Sequence, residues 1–252
     1  MSRGDEKERI DDLQRGGCRI IQRPELFCFG MDAVLLSAWA MAGPGDNILD
    51  LCSGNGIVPI LMDARLPEEV RRDGSVHFTG VEINSTSVDL ARRSAQMNGQ
   101  SERIRFLEGD VRRLFRGGIL SPGIYDSVTV NPPYMTADGG LKGPSGERAA
   151  ARHEVLCTFG DVAEAARRAL KQAGHLYLVH RPHRLGDIFE ALLKNDLAVK
   201  RMRMVHPFAE KEANLLLIDA VKGAKSYLHV EKPLVIYRET GVYTEELKAL
   251  YG

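Results

Sequence analysis

Between residues 47 and 180 short apolar runs alternate with amphipathic stretches of helical spacing, and this rhythm constrains the fold more than any other property of the chain. Residues 47–51, 76–83, 104–107, 125–130 and 175–180 are each the length of one buried strand. A helical pattern holding Ile57, Pro59, Ile60, Leu61 and Met62 follows the first strand, a second over residues 85–98 follows the next, and a third over 159–170 precedes the last. Strands joined by helical crossovers must run parallel, so the pattern predicts an α/β fold with a mostly parallel sheet. A further helix, around residues 185–193, precedes extended segments at 199–205, 214–221 and 234–237. Such a sheet commonly ends in an antiparallel part.

The flanks add less. The chain has 252 residues, 44% of them hydrophobic, enough for a sizeable core. Lys plus Arg number 34 and Asp plus Glu also 34, so any nucleic-acid partner must be held by a local basic patch. Residues 1–15 form a charged lead, expected to be mobile, without an apolar leader, and no later run reaches the ~18 apolar residues of a membrane span. A cytoplasmic protein without a membrane partner is expected. Residues 18–22 and 25–29 read as extended, parted by Pro24, and Asp32 reads as the cap of a helix through Ala33, Leu35, Leu36 and Trp39 that ends before Gly43. Residues 1–45 are thus an N-terminal extension and possible lid, and 46–252 the main domain. Cys18, Cys28, Cys52 and Cys157 form no Cys-x-x-Cys pair, and no compact His/Asp cluster occurs, so no metal site is expected. His180 and His183 read as surface residues beside Arg181. Residues 139–146, with four glycines and a proline, read as a loop.

Two segments carry chemistry. Asp50-Leu51-Cys52-Ser53-Gly54-Asn55-Gly56 ends the first strand with a glycine turn that lets backbone N–H groups approach a ligand, although Pro59 occupies the third position of a Gly-x-Gly-x-x-Gly pattern. Glu82 ends the second strand, where a carboxylate accepts bonds from two ribose hydroxyls, and Asp110 follows the third, where it can border an adenine pocket. A plain sheet-to-helix turn with solvated acids is the competing reading. After the fourth strand, Asn131-Pro132-Pro133-Tyr134 removes two backbone donors and leaves acceptors: the Asn131 side-chain oxygen and the Pro132 carbonyl suit a planar exocyclic amine, and Tyr134 offers a stacking face. A proline-stiffened turn without a ligand is the alternative.

The first segment, with Glu82 and Asp110, resembles the S-adenosylmethionine-binding signature of the Rossmann-like methyltransferases. The resemblance implies that Asp50 lies near the methionine portion, Glu82 holds the ribose and Asp110 contacts the adenine, with Gly54 and Gly56 in the turn. Cys52 stands where that family usually has its first glycine, and a cysteine there would resist a positive φ. The Asn131 turn resembles that of amino methyltransferases acting on adenine N6, and is also similar to that of the glutamine-N5 methyltransferases of release factors. Phe27 to Asp32, Ala151-Arg152-His153-Glu154, Lys232 to Tyr237 and Gly241 to Thr244 resemble segments of the tRNA adenine-N6 methyltransferases that modify valine tRNA beside the anticodon, over about residues 17–251.

That resemblance implies methyl transfer from S-adenosylmethionine to adenine N6 in structured RNA, with tRNA rather than DNA as the substrate and Asn131, Pro132 and Tyr134 catalytic. On the cofactor side stand Asp50, Cys52, Gly54, Gly56, Glu82 and Asp110. Candidate substrate contacts are Phe29, Pro133, Arg148, Arg152, Arg181 and Arg184, with Lys200, Arg201 and Arg203 further along. For Phe29 a core role is equally open, and each basic residue taken singly reads first as part of a solvated face, which only convergence around the pocket would reverse. Glutamine-N5 methylation of release factor and a noncatalytic RNA-binding module are the competing functions.

Overall fold

Residues that are apolar on both sides of a strand need cover on both sides, and the sheet of this protein is covered in that way. The computed structural model describes residues 8–24, 26, 29–116, 118–133 and 157–251. Phe27, Cys28, Tyr134, Arg148, Arg152, His153 and the stretch 139–146 lie outside the described residues. The strands β1 (Arg9–Asp12) and β2 (Arg19–Gln22) form an antiparallel hairpin, followed by α1 (Met31–Trp39). Then come β3 (Asn47–Leu51), α2 (Ile57–Arg65), α3 (Glu68–Asp73), β4 (His77–Glu82), α4 (Ser85–Met97) and β5 (Ile104–Glu108). A 3-10 turn, Val111–Arg113, leads to β6 (Tyr125–Val130). The second half holds α5 (Phe159–Ala169), β7 (Leu170–His180), α6 (Leu185–Lys194), β8 (Leu197–His206) and β9 (Leu215–Lys222). The short strands β10 (His229–Val230), β11 (Leu234–Val235), β12 (Tyr237–Glu239) and β13 (Val242–Tyr243) precede α7 (Glu245–Tyr251).

Among the described residues the central sheet has nine strands in the order β10-β8-β9-β7-β6-β3-β4-β5, with β11 also on β8. The five strands from β7 to β5 are mutually parallel, and β9 runs antiparallel to both β7 and β8, so the mostly parallel sheet with an antiparallel C-terminal part is as the sequence rhythm predicts. Alternation along each strand sends residues to two cores. Ile48, Phe78, Tyr177 and Val179 pack under α1, α2 and α4, whereas Leu49, Leu51, Val128, Val130, Leu176 and Leu178 pack under α5 and α6. No described helix is long and apolar enough to cross a membrane.

Four expectations are corrected. Residues 9–12 are a strand and not part of a mobile lead, because pairing with β2 satisfies their backbone and Glu8 is clamped by Arg23 at 2.9 Å and Arg93 at 2.5 Å. Those guanidinium hydrogen bonds hold the Glu8 carboxyl down to about 2. In the segment 25–29 the described residues Leu26 and Phe29 lie in no strand. The N-cap of α1 is Gly30, and Asp32 is the second residue of its first turn, buried, where its Oδ1 accepts from the Ala33 N–H at 2.9 Å. His180 is not a surface residue: it is 2% exposed, at the end of β7, with the Phe159 ring against it edge-on.

Candidate active site at the carboxyl edge of the sheet

The chain runs outward from β3 in two directions, to β4 and β5 on one side and to β6 and β7 on the other. In open α/β sheets the crevice beyond such a reversal is where ligands bind, because the loops on either side part there. The register places Leu51 beside both Val81 and Val130, and Glu82 beside Glu108. The turn after β3, Glu82, Asp110 and Asn131 therefore leave adjacent strands at one edge. Of the residues singled out in the sequence, these are the ones the fold brings together.

The turn is built from left-handed torsions, with φ of 57° at Cys52, 53° at Gly54 and 85° at Gly56. Gly56 N–H closes it onto the Ser53 carbonyl at 2.9 Å, and Ser53 N–H bonds the Val81 carbonyl at 3.0 Å. Glu82 braces it from the next strand: its Oε2 accepts from the Gly54 N–H at 3.0 Å and its Oε1 from the Asn84 N–H at 2.9 Å. Each oxygen keeps a second lone pair, so the carboxylate can still accept hydroxyl hydrogens. Beneath the turn lies the Phe106 ring. A Cβ on Gly56 would meet it at 2.5 Å, and one on Gly80 would meet it at 2.4 Å and the Ser53 hydroxyl oxygen at 2.6 Å. Sequence reasoning missed Gly80, since only the register of β4 against β3 and β5 reveals what it must clear.

Asp50 is 2% exposed and Thr129, its neighbour across β6, donates its hydroxyl to Asp50 Oδ1 at 2.6 Å. Burial pushes the Asp50 carboxyl up to about 7 against the lowering effect of the Ser53 and Thr129 hydroxyls, and the nearby Glu82 charge adds to the shift. Asp50 Oδ2 and the Ser53 hydroxyl oxygen are buried without a hydrogen bond of ordinary geometry among the described residues, although Ser53 stands close enough to Asp50 to lower its pKa. Buried polar atoms are ordinarily fully paired, so this pair keeps bonding capacity that a polar ligand beside the glycine turn can meet. Burial, reinforced by the charges of Glu82 and Asp50 among its neighbours, keeps Cys52 a thiol.

Asp110 caps the 3-10 turn, accepting from the Arg112 N–H at 3.0 Å, and binds the Arg112 guanidinium at 2.5 Å, which lowers its pKa. Asn131 and Pro133 are half-buried and Pro132 is buried. Phe29 packs on the first core, with its N–H on Gln22 Oε1 at 3.1 Å. Arg181 reaches the Asn214 carbonyl at 3.0 Å and Arg184 pairs with Asp187 at 2.8 Å. Arg201 lies over the Trp39 ring at 4.2 Å and pairs with Glu231 at 3.1 Å, Arg203 binds the Lys232 carbonyl at 2.9 Å, and Lys200 binds the Lys225 carbonyl at 3.1 Å. The basic residues picked out after β7 are thus engaged within the protein. His180 accepts the Arg181 N–H at 2.8 Å, and burial together with the Arg184 and His183 charges lowers it to about 4, so it is neutral at pH 7. Among the described residues no group of three His, Cys, Asp or Glu side chains is placed to hold a metal ion.

Residues 19–202 match the family described as the methyltransferase small domain. The tRNA1(Val) (adenine(37)-N6)-methyltransferase of Aeromonas hydrophila is 28% identical over 216 residues, covering 86% of this chain and 85% of that one. Its counterpart in Porphyromonas gingivalis is 26% identical over 241 residues, covering 93% and 88%. A predicted O-methyltransferase from Agrobacterium tumefaciens superimposes with a TM-score of 0.68 at 26% identity, over 88% of this chain and 95% of that one. TrmN from Thermus thermophilus shares the fold at a TM-score of 0.53 and 23% identity, over 75% of this chain and 47% of that one.

Proposed function

The chain belongs to the methyltransferase small domain family, and from that premise we propose that it transfers a methyl group from S-adenosylmethionine to the N6 amine of an adenine in structured RNA, with tRNA as the acceptor. The observation that carries this reading is the placement of Asn131 and Pro132 at the end of β6, one strand from the glycine turn of β3. Support for the acceptor comes from the adenine-N6 enzymes that align with most of the chain. An adenine 37 in valine tRNA is the position those relatives imply.

The residues present fit the cofactor. Glu82 has acceptor capacity left for ribose hydroxyls, Gly54 and Gly56 leave the turn without side-chain bulk, and the incompletely bonded Asp50 carboxyl and Ser53 hydroxyl can meet polar atoms. When bound, S-adenosylmethionine supplies an electrophilic methyl carbon. The chain's own part is positional: the Asn131 side-chain oxygen and the Pro132 carbonyl accept the two amine hydrogens, which turns the nitrogen lone pair out of conjugation and toward the methyl. An N–C bond forms as the S–C bond breaks, and the surplus amine proton passes to solvent. Reaching the amine requires the base to leave its stack.

The test is transfer of labelled methyl from S-adenosylmethionine to unmodified tRNA and, in parallel, to release factor, with nucleoside and amino-acid analysis. N6-methyladenosine in tRNA is expected, falling at least about 100-fold in Asn131→Ala with cofactor affinity retained. Label confined to release-factor glutamine would overturn the RNA acceptor, and failure of the protein to bind S-adenosylmethionine would overturn the enzyme reading.

A further inference from the structure

On the face that carries α5, the 3-10 turn Val111–Arg113 and the residues just after it enclose a cavity of about 340 Å³ against that helix. Four guanidiniums line it, those of Arg112, Arg113, Arg116 and Arg168, opposed by the carboxylates of Asp161 and Glu164. The acids are already engaged. Asp161 Oδ2 accepts the Thr158 N–H and hydroxyl, both at 2.7 Å, as the capping box of α5. Glu164 stands 4.0 Å from Arg168, whose guanidinium also lies over the Phe115 ring at 5.1 Å, and Arg112 is held by Asp110. Arg113 and Arg116 are exposed, and neither guanidinium forms a hydrogen bond or close ion pair with a described side chain, although the Arg113 charge is felt by Asp110. Positive charge is therefore in surplus in a concave site, where it is less screened than on a flat surface.

The contrast with the basic residues after β7 sharpens the point. The arginines and lysines after β7 that sequence reasoning put forward as RNA contacts are spent on carbonyls, carboxylates and a tryptophan ring, as described above. Arg113 and Arg116 instead line a cavity next to the candidate cofactor site, since its lining residue Arg112 is the ion-pair partner of Asp110. Two guanidiniums can grip the two unesterified oxygens of a phosphodiester with paired N–H donors, a geometry that lysine cannot match.

Resting on the RNA reading above, we infer that this cavity holds a backbone phosphodiester of the acceptor RNA, gripped by Arg113 and Arg116. It is a positioning site, since neither residue touches the reacting atoms. The experiment compares the parent with Arg113→Ala/Arg116→Ala, and with Arg9→Ala/Arg72→Ala as a charge-matched control, in binding to a tRNA transcript across a salt series. Removing two phosphate contacts should reduce the slope of log affinity against log salt by about 1.4 for single-stranded contacts and about 1.8 for duplex ones. KM for tRNA should rise at least about 5-fold at low salt while kcat at saturating tRNA and the affinity for S-adenosylmethionine stay at parental values. The control should keep the parental slope.

An unchanged slope and KM in the cavity variant would overturn the inference, as would an equal loss in the control, which would mean general charge rather than a site. A phosphorus-NMR titration with inorganic phosphate separates the sources: phosphate binding abolished in the variant with tRNA affinity intact would make this a free-anion site and overturn the RNA assignment. If the parent itself bound no tRNA, the RNA reading would fall and the inference with it, an outcome distinct from failure of the variant alone. Both side chains are exposed, so the variant is expected to keep the parental melting temperature.

Discussion

Asp50 shows what the site costs the fold at the level of one residue. An unfolded aspartate titrates near about 3.9, and the folded one is pushed up to about 7 by burial. The folded state therefore holds this proton more tightly than the unfolded state does. Its contribution to stability is whole below about pH 4 and lost as the pH rises to about 7, because the unfolded chain ionises first. Asp50→Asn cannot ionise, so its stability should gain on that of the parent across the same interval, by as much as about 4 kcal/mol, and level off above pH 7. Urea unfolding of both proteins from pH 4.5 to pH 8 measures the gap; a constant difference would mean that Asp50 is ionised throughout. Cys52 carries the other strain. At φ 57° a β-branched side chain is costlier than cysteine, so Cys52→Val should lose about 1–2 kcal/mol while Cys52→Gly stays within about 1 kcal/mol of the parent. Equal urea midpoints for the valine variant and the parent would contradict that assignment of strain.

At the scale of elements, the helix after the glycine turn is pinned at its far end. Asp63 of α2 is 1% exposed and is gripped by Arg103, with Nε on Oδ1 at 2.7 Å and Nη2 on Oδ2 at 2.8 Å, while Gln100 Nε2 bonds Oδ2 at 2.9 Å. This ties α2 to the residues just before β5. Removing the guanidinium leaves a buried carboxylate, so Arg103→Leu should cost about 3–5 kcal/mol in chemical denaturation, and a loss below 1 kcal/mol would show that the pair is dispensable. The same elements show where sequence is legible. The strands at 47–51 and 125–130 have the bounds the sequence predicts, and all but one residue of each is buried. The strand Arg9–Asp12 was hidden by its charges, of which Arg9 and Asp11 pair with each other, and α3 has Val70 as its one buried residue and hence no apolar period. His180 reads as polar among Arg181 and His183, yet it is the last residue of a strand whose preceding four residues are all buried.

For the molecule as a whole, a formal net charge of zero leaves recognition to local concentrations of charge. The three strand-end acids and the Asn131 turn were legible because each ends a strand of its own. Thr129, Ser53 and Gly80 were not, since their part depends on which strands become neighbours, and the arginine cavity joins a turn and a helix that sequence keeps far apart. Ligation should couple to global stability: S-adenosylhomocysteine at 100 times its Kd should stabilise the protein by about 2.7 kcal/mol. Glu82→Ala, which frees the Gly54 and Asn84 N–H groups, should lose most of that increment in thermal melts with and without the compound; an undiminished shift would remove Glu82 from the cofactor site. One feature of the topology reaches beyond the folded state. Asp50 and Thr129 are bonded across strands 79 positions apart, so at ribosomal speeds β3 waits roughly 4–16 s for its second neighbour. Throughout that interval an apolar strand has one open hydrogen-bonding edge, the form most prone to pair with another nascent chain. The arrival of β6 closes the edge and delivers Asn131 in the same event, so a ribosome that pauses before that strand prolongs the aggregation hazard and postpones the candidate site together.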